Sequence, residues 1–247
     1  MKTGMIAAGL GLAVSGVASA AFTGYTVTAT NVTNSGQNLT RYEVFAVFNG
    51  ATDTVLNVFN FQAQGGWAAH ADAAAGFWHK DNSDYSGGVL GQAYGTWAPQ
   101  LTGSATANRP FDSYLTIGGG ATATNTSNAD PSWPAAGGGW NRADLPLVNE
   151  IGWFNSSPPN AQGRVGNSPA GGTVANGWTA AVPTGGVRLG QFILSQGDAA
   201  FRTYTLRTAY NNGTGGGVVF ADGSFSLPAP GAIALLGLAG LAGRRRR

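Results

Sequence analysis

The 247-residue chain contains no cysteine. Disulfides, thiolate nucleophiles and thiolate zinc sites are thereby excluded, and the fold has to be held by its core. Charge is scarce too: 10% of the residues are charged, against about 25% in an average globular domain. Histidine occurs only as His70 and His79, so acid–base and metal chemistry have few carriers. No apolar run reaches the roughly 20 residues that a membrane-spanning helix needs.

Two shorter apolar runs stand at the ends of the chain. Lys2 precedes the stretch from Met5 to Val17, and Ala18-Ser19-Ala20 then places small residues, Ala18 and Ala20, where a signal peptidase reads them. Residues 1–20 are expected to be a secretory signal peptide cut after Ala20. At the other end Pro228, Ala229, Pro230 and Gly231 form a break poor in hydrogen-bond donors. Only Ala, Ile, Leu and Gly follow from Ala232 to Ala242, and Arg244, Arg245, Arg246 and Arg247 close the chain. An apolar run followed by cations is a membrane-directed address, because the arginines stay with water and anionic headgroups on the cytoplasmic side. The run covers about 18 Å as a helix, which suits a transient sorting segment better than a permanent anchor.

The order Pro228-Ala229-Pro230-Gly231, apolar segment, then Arg244 to Arg247 resembles the PEP-CTERM sorting signal of exported bacterial proteins. Ala229 stands where that family has glutamate. The resemblance covers about 20 residues and implies an exosortase-like sorting protease as partner, with transient contact to the membrane through the C-terminal segment. A sortase reading, with Leu227 to Gly231 as the motif, ranks second because Pro230 replaces the threonine that sortases require.

With both ends set aside, residues 21–227 carry eight cations and eleven carboxylates, a balance of minus three. The basic character of the whole chain belongs to its ends, and no basic patch supports a nucleic-acid partner. About 207 residues suffice for one core, so residues 21–227 are expected to form one domain between residues 1–20 and the tail at 228–247.

Within this body the period is two. Tyr25, Val27 and Ala29 alternate with threonines, which predicts a strand with one wet face, whereas Tyr42 to Phe48 is apolar on both faces and predicts a central strand. Val55 to Phe61 follows the turn residues Asn49 to Asp53 and is expected to return as the second half of a hairpin. Further strands are expected over 111–117, 149–154, 187–194, 201–210 and 217–227. The class is all-β, an antiparallel β-sandwich or jelly roll, flanked by the signal peptide and a short C-terminal apolar helix. The segments 44–48, 56–60, 111–118 and 187–192 are similar to exported planctomycete-type proteins carrying such a tail and, more distantly, to cohesin-like jelly rolls. That similarity implies a fold and no functional residues.

Candidate site residues are few. Between Gly65 and Pro99 lie Trp67, Phe77, Trp78, Tyr85, Tyr94 and Trp97. Trp67, Trp78 and Trp97 could present rings to the CH faces of a sugar, or the rings could cap the open end of the sandwich; the second is favoured because large aromatics more often supply core area. His70, Asp72, His79, Asp81 and Asp84 match no established metal-loop spacing, so no metal or other cofactor is expected. The scattered acids make no carboxylate pair with motif context, and the glycine triplets at 118–120 and 137–139 lack a phosphate-loop lysine. The asparagine triplets at 31, 38, 125, 155 and 212 match the glycosylation pattern, which arises by chance in so Asn- and Thr-rich a chain. The sequence thus predicts an exported, non-catalytic surface or matrix-associated protein. The alternative is a carbohydrate-binding module with surface polysaccharide as its partner.

Overall fold

A computed structural model of the chain describes residues 21–67, 76–79, 97, 111–119, 127–134, 141–142, 146, 148, 150–168, 181–196, 198, 202–213 and 217–227. Eleven strands run through these residues: β1 Phe22–Asn34, β2 Gln37–Phe48, β3 Thr54–Ala63, β4 Trp78–His79, β5 Tyr114–Leu115, β6 Ser127–Ala129, β7 Asn141–Arg142, β8 Ile151–Asn155, β9 Gly186–Ser195, β10 Thr203–Asn211 and β11 Val218–Ser226. The first sheet has the order β1-β2-β9-β5, the second β11-β10-β3-β8-β6, and β4 and β7 form a short ribbon. All pairings are antiparallel. The all-β sandwich expected from the period-two pattern is thus the observed class, and each expected strand overlaps an observed one.

The expected hairpin between 42–48 and 55–61 does not form. β2 pairs with β1 and β9, while β3 pairs with β10 and β8, so Asn49 to Asp53 crosses from one sheet to the other. The crossing is held from both sides: Phe48 N donates to Gly185 O at 3.0 Å, Asn49 N to Ala21 O at 3.1 Å and Val165 N to Asp53 O at 2.9 Å. The two strands therefore take interior positions in different sheets, β2 between β1 and β9 and β3 between β10 and β8. The real hairpin partner of β2 is β1, turned by Ser35-Gly36, both at positive φ.

Between the sheets sit Tyr42, Val44, Ala46 and Phe48 of β2, Leu189, Phe192 and Leu194 of β9, and Val55, Val58 and Phe61 of β3. Phe61 is the centre of this core. Its ring meets Trp67, Trp133, Trp153, Phe192, Tyr204 and Phe225, with centroids 5.2 to 6.2 Å apart. β2 is also covered on its other face, as its sequence requires: Leu39, Arg41, Glu43 and Phe45 are all buried there.

Two irregularities in β3 aim its side chains. The register against β10 shifts between Ala209 and Tyr210 and again between Thr205 and Arg207. Val55 and Val58 both enter the core, so Leu56 and Asn57 are left on the outer side; Asn60, at φ 53, repeats the effect before Phe61.

Candidate functional site

Of the aromatic residues between 65 and 99, Trp67, Phe77 and Trp97 belong to the core. Trp97 and Trp67 are 0% and 4% exposed, and so do not offer their faces at the surface as a ligand platform would. Trp97 Nε1 donates to Pro134 O at 2.7 Å, and its ring meets Phe77 and Trp133 at 5.9 and 4.7 Å. Phe77 in turn contacts Phe192 and Tyr204 from the two sheets, so these rings fill one end of the space between the sheets. Trp78 is half-buried, donates from Nε1 to Ser195 Oγ at 3.0 Å and lies under the Arg142 guanidinium. Tyr85 and Tyr94 lie outside the described residues.

His79 is buried beside Trp97, stacked at 4.2 Å, and its acid is not a sequence neighbour. Nδ1 sits 2.8 Å from Ser113 O and 3.2 Å from Asp112 Oδ1. A carbonyl only accepts, so the proton of this pair belongs on Nδ1. The imidazole braces the β4 ribbon against the segment that leads into β5. His70, Asp72, Asp81 and Asp84 lie outside the described residues, and among the described residues no group of three His, Asp or Glu could hold a metal ion.

A charged cluster is buried on the outer face of the first sheet. Glu43 Oε1 is 3.3 Å from Arg188 Nε, and Glu43 Oε2 is 3.9 Å from Arg41 Nε. Arg188 also lies over the Phe45 ring at 5.3 Å. Burial pushes the Glu43 carboxyl up, opposed by Arg188 and then Arg41. Burial likewise lowers Arg41 and sets the Tyr114 hydroxyl well above its ordinary value. All of these side chains are sealed, so the cluster is a structural network of the sheet.

Among the described residues, three of the exposed large apolar side chains stand on the other sheet. Phe220 and Phe154 are 60% and 45% exposed, and Val218 is 49% exposed. Register places Phe154, Asn57, Ala209 and Phe220 in one row across β8, β3, β10 and β11. Beside that row Phe59 meets Phe220 edge-on at 5.9 Å, and Arg207 lies over Phe59 while holding Asp222 through both its Nε and Nη2. On the other flank Thr54, Asn211 and Val218 form the next row and lead into a cavity of about 390 Å³. Thr52, Thr54, Leu56, Arg164, Asn211 and Pro158 are among its walls. The wall that carries Arg164 is pinned to β3, since Val55 N donates to Gly163 O at 2.9 Å and Thr54 bridges Arg164.

The chain matches no protein-family model, and no curated protein is similar to it in sequence. Ala18 and Ala20 of the expected signal, the motif Pro228, Ala229, Pro230 and Gly231, and Arg244, Arg245, Arg246 and Arg247 all lie outside the described residues. Among the described residues no helix is long and apolar enough to cross a membrane. The outer-face rings were missed in sequence reading although their signal was present: Val218, Phe220 and Asp222 alternate with Val219, Ala221 and Gly223, which turn inward. The cavity left no such signal, because its walls come from three distant segments.

Proposed function

We propose that the chain is an exported, non-catalytic protein of the cell envelope or extracellular surface, delivered by a PEP-CTERM-like signal. The observation that carries this reading is the order Pro228-Ala229-Pro230-Gly231, apolar run, Arg244 to Arg247 at the end of a chain that opens on a signal-peptide pattern. The end of the sandwich supports it. β11 stops at Ser226, and the bond from Leu227 N to Arg202 O at 2.9 Å comes just before two prolines, whose rings carry no donor for a ladder. Signal peptidase acts after Ala20, and an exosortase-like protease acts at the proline motif while the arginines hold the C-terminus at the cytoplasmic side.

Mass spectrometry of the surface-exposed protein from an exosortase-bearing host tests the reading. It should find a chain that begins at Ala21 and lacks Arg244 to Arg247. Mature surface protein with those arginines retained would overturn the processing step. Retention of the whole chain in the cytoplasm would overturn export. A role in holding surface polysaccharide is the second reading, favoured by the exposed rings of the second sheet.

A further inference from the structure

We propose that the outer face of the second sheet, together with the cavity at its β3–β10 end, is a binding site for an acidic polysaccharide chain. The proposal deepens the second reading above and assigns it to residues outside the 65–99 region.

Size and wall chemistry come first. A cavity of about 390 Å³ lies within the roughly 300 to 1,000 Å³ range of small-ligand sites. The polar residues among its walls are Thr52, Thr54, Asn211 and Arg164, and no Asp or Glu is among them. The Asn211 carbonyl already accepts Gly213 N at 2.8 Å, which turns the amide NH₂ toward other partners. Arg164 forms no salt bridge among the described residues. A planar guanidinium beside hydroxyls fits a ligand that bears a carboxylate or sulfate on a hydroxyl-rich frame.

The rings supply the second half of the site. A pyranose has an apolar CH face, and Phe154, Phe220 and Val218 expose apolar surface beside the cavity, with Asn57 between the two rings. The row spans three strand spacings, about 14 Å, which is longer than one sugar ring and so suits a chain of several. A peptide partner would use a sheet edge and its free backbone groups, whereas these side chains stand on the face. A second copy of the protein is disfavoured. The apolar surface is interrupted by Asn57 and by the exposed Arg207–Asp222 pair, whose charges a close-packed copy would have to desolvate.

Titration calorimetry of the full-length chain with a galacturonate hexamer and a neutral glucan hexamer tests the assignment. The acidic hexamer should bind saturably and about tenfold more tightly than the neutral one, with the preference fading at high salt. Arg164→Gln should bring the two affinities together, and Phe220→Ala or Phe154→Ala should weaken the acidic hexamer several-fold at unchanged melting temperature. Trp78→Ala should leave binding intact. No binding of either hexamer overturns the site; equal binding of both overturns the acidic specificity; binding indifferent to Arg164→Gln and Phe220→Ala places the sugar elsewhere. None of these outcomes bears on export or tail removal, which the mass of the surface form decides separately.

Discussion

Arg188 reaches across from β9 to Glu43 on β2 at 3.3 Å, and both side chains are sealed from solvent. The carboxylate is the shared counter-charge of two guanidiniums, since Arg41 approaches its other oxygen at 3.9 Å. Glu43→Ala leaves both arginines buried with that charge removed and should cost about 3–5 kcal/mol. Glu43→Gln keeps an acceptor in place and should cost less. Chemical denaturation of the two variants gives the comparison; equal stability of Glu43→Ala and the parent would show that the pair contributes nothing.

Phe61 meets six other rings in the middle of the sandwich, from Trp67 at one end to Phe225 at the other. Phe61→Ala should therefore cost about 3–5 kcal/mol, the upper range for a buried aromatic. Phe154→Ala, on the exposed outer face, should change stability by no more than about 0.5 kcal/mol. Urea midpoints at constant slope would separate the two; similar costs would mean that Phe154 is covered.

Alternation along single strands was enough to locate Tyr42 to Phe48 as an interior strand, because seven consecutive residues with apolar side chains on both faces demand cover on both sides. It could not tell which strand would lie beside it. Asn49 to Asp53 has turn residues compatible with either a hairpin or a crossing between sheets, and the choice is made by distant bonds such as Phe48 N to Gly185 O. The same limit applies to the sites. The alternation of β11 contains a signal for an outward Phe220 that was missed, whereas the parity of β3 is broken by two register shifts, so Leu56 and Asn57 could be placed only from the structure. His79 shows the same thing for polar groups: sequence offered Asp81, and the fold supplied Asp112.

Gly163 lies against β3 so closely that a Cβ there would overlap Val55 O and come within 2.8 Å of Ile117 Cγ2. Neither neighbour can yield freely, since one is backbone and the other is 0% exposed. Gly163→Ala should destabilise by about 1–3 kcal/mol, as overpacking does, and should loosen the wall that carries Arg164. Gly217→Ala, where a Cβ meets nothing within 4 Å, is the control and should stay within about 0.5 kcal/mol of the parent. Thermal melting of the two variants checks this, and a neutral Gly163→Ala would show that the segment from Ala161 to Asn167 is free to move off β3.

Asp53 sets the pH response of the crossing between the sheets. Its side chain is fully buried, neither carboxylate oxygen has a hydrogen-bond partner, and burial raises its pKa above the ordinary 3.8, opposed in part by the nearby Gly50 backbone. A raised carboxyl binds its proton more tightly in the folded state than in the unfolded one, so its stabilising contribution is complete below 3.8 and is lost as pH rises through the folded value. Asp53→Asn removes the titrating group while keeping the shape of the side chain, so the cost that grows on the parent as pH rises does not grow on the variant. The variant should melt above the parent at neutral pH, and the gap should close as pH falls toward 3.8. Melting temperatures of both proteins across that range decide the matter. If Asp53→Asn instead melts lower at neutral pH and the gap still closes in acid, the ionised carboxylate stabilises the crossing, and folding lowers its pKa instead of raising it.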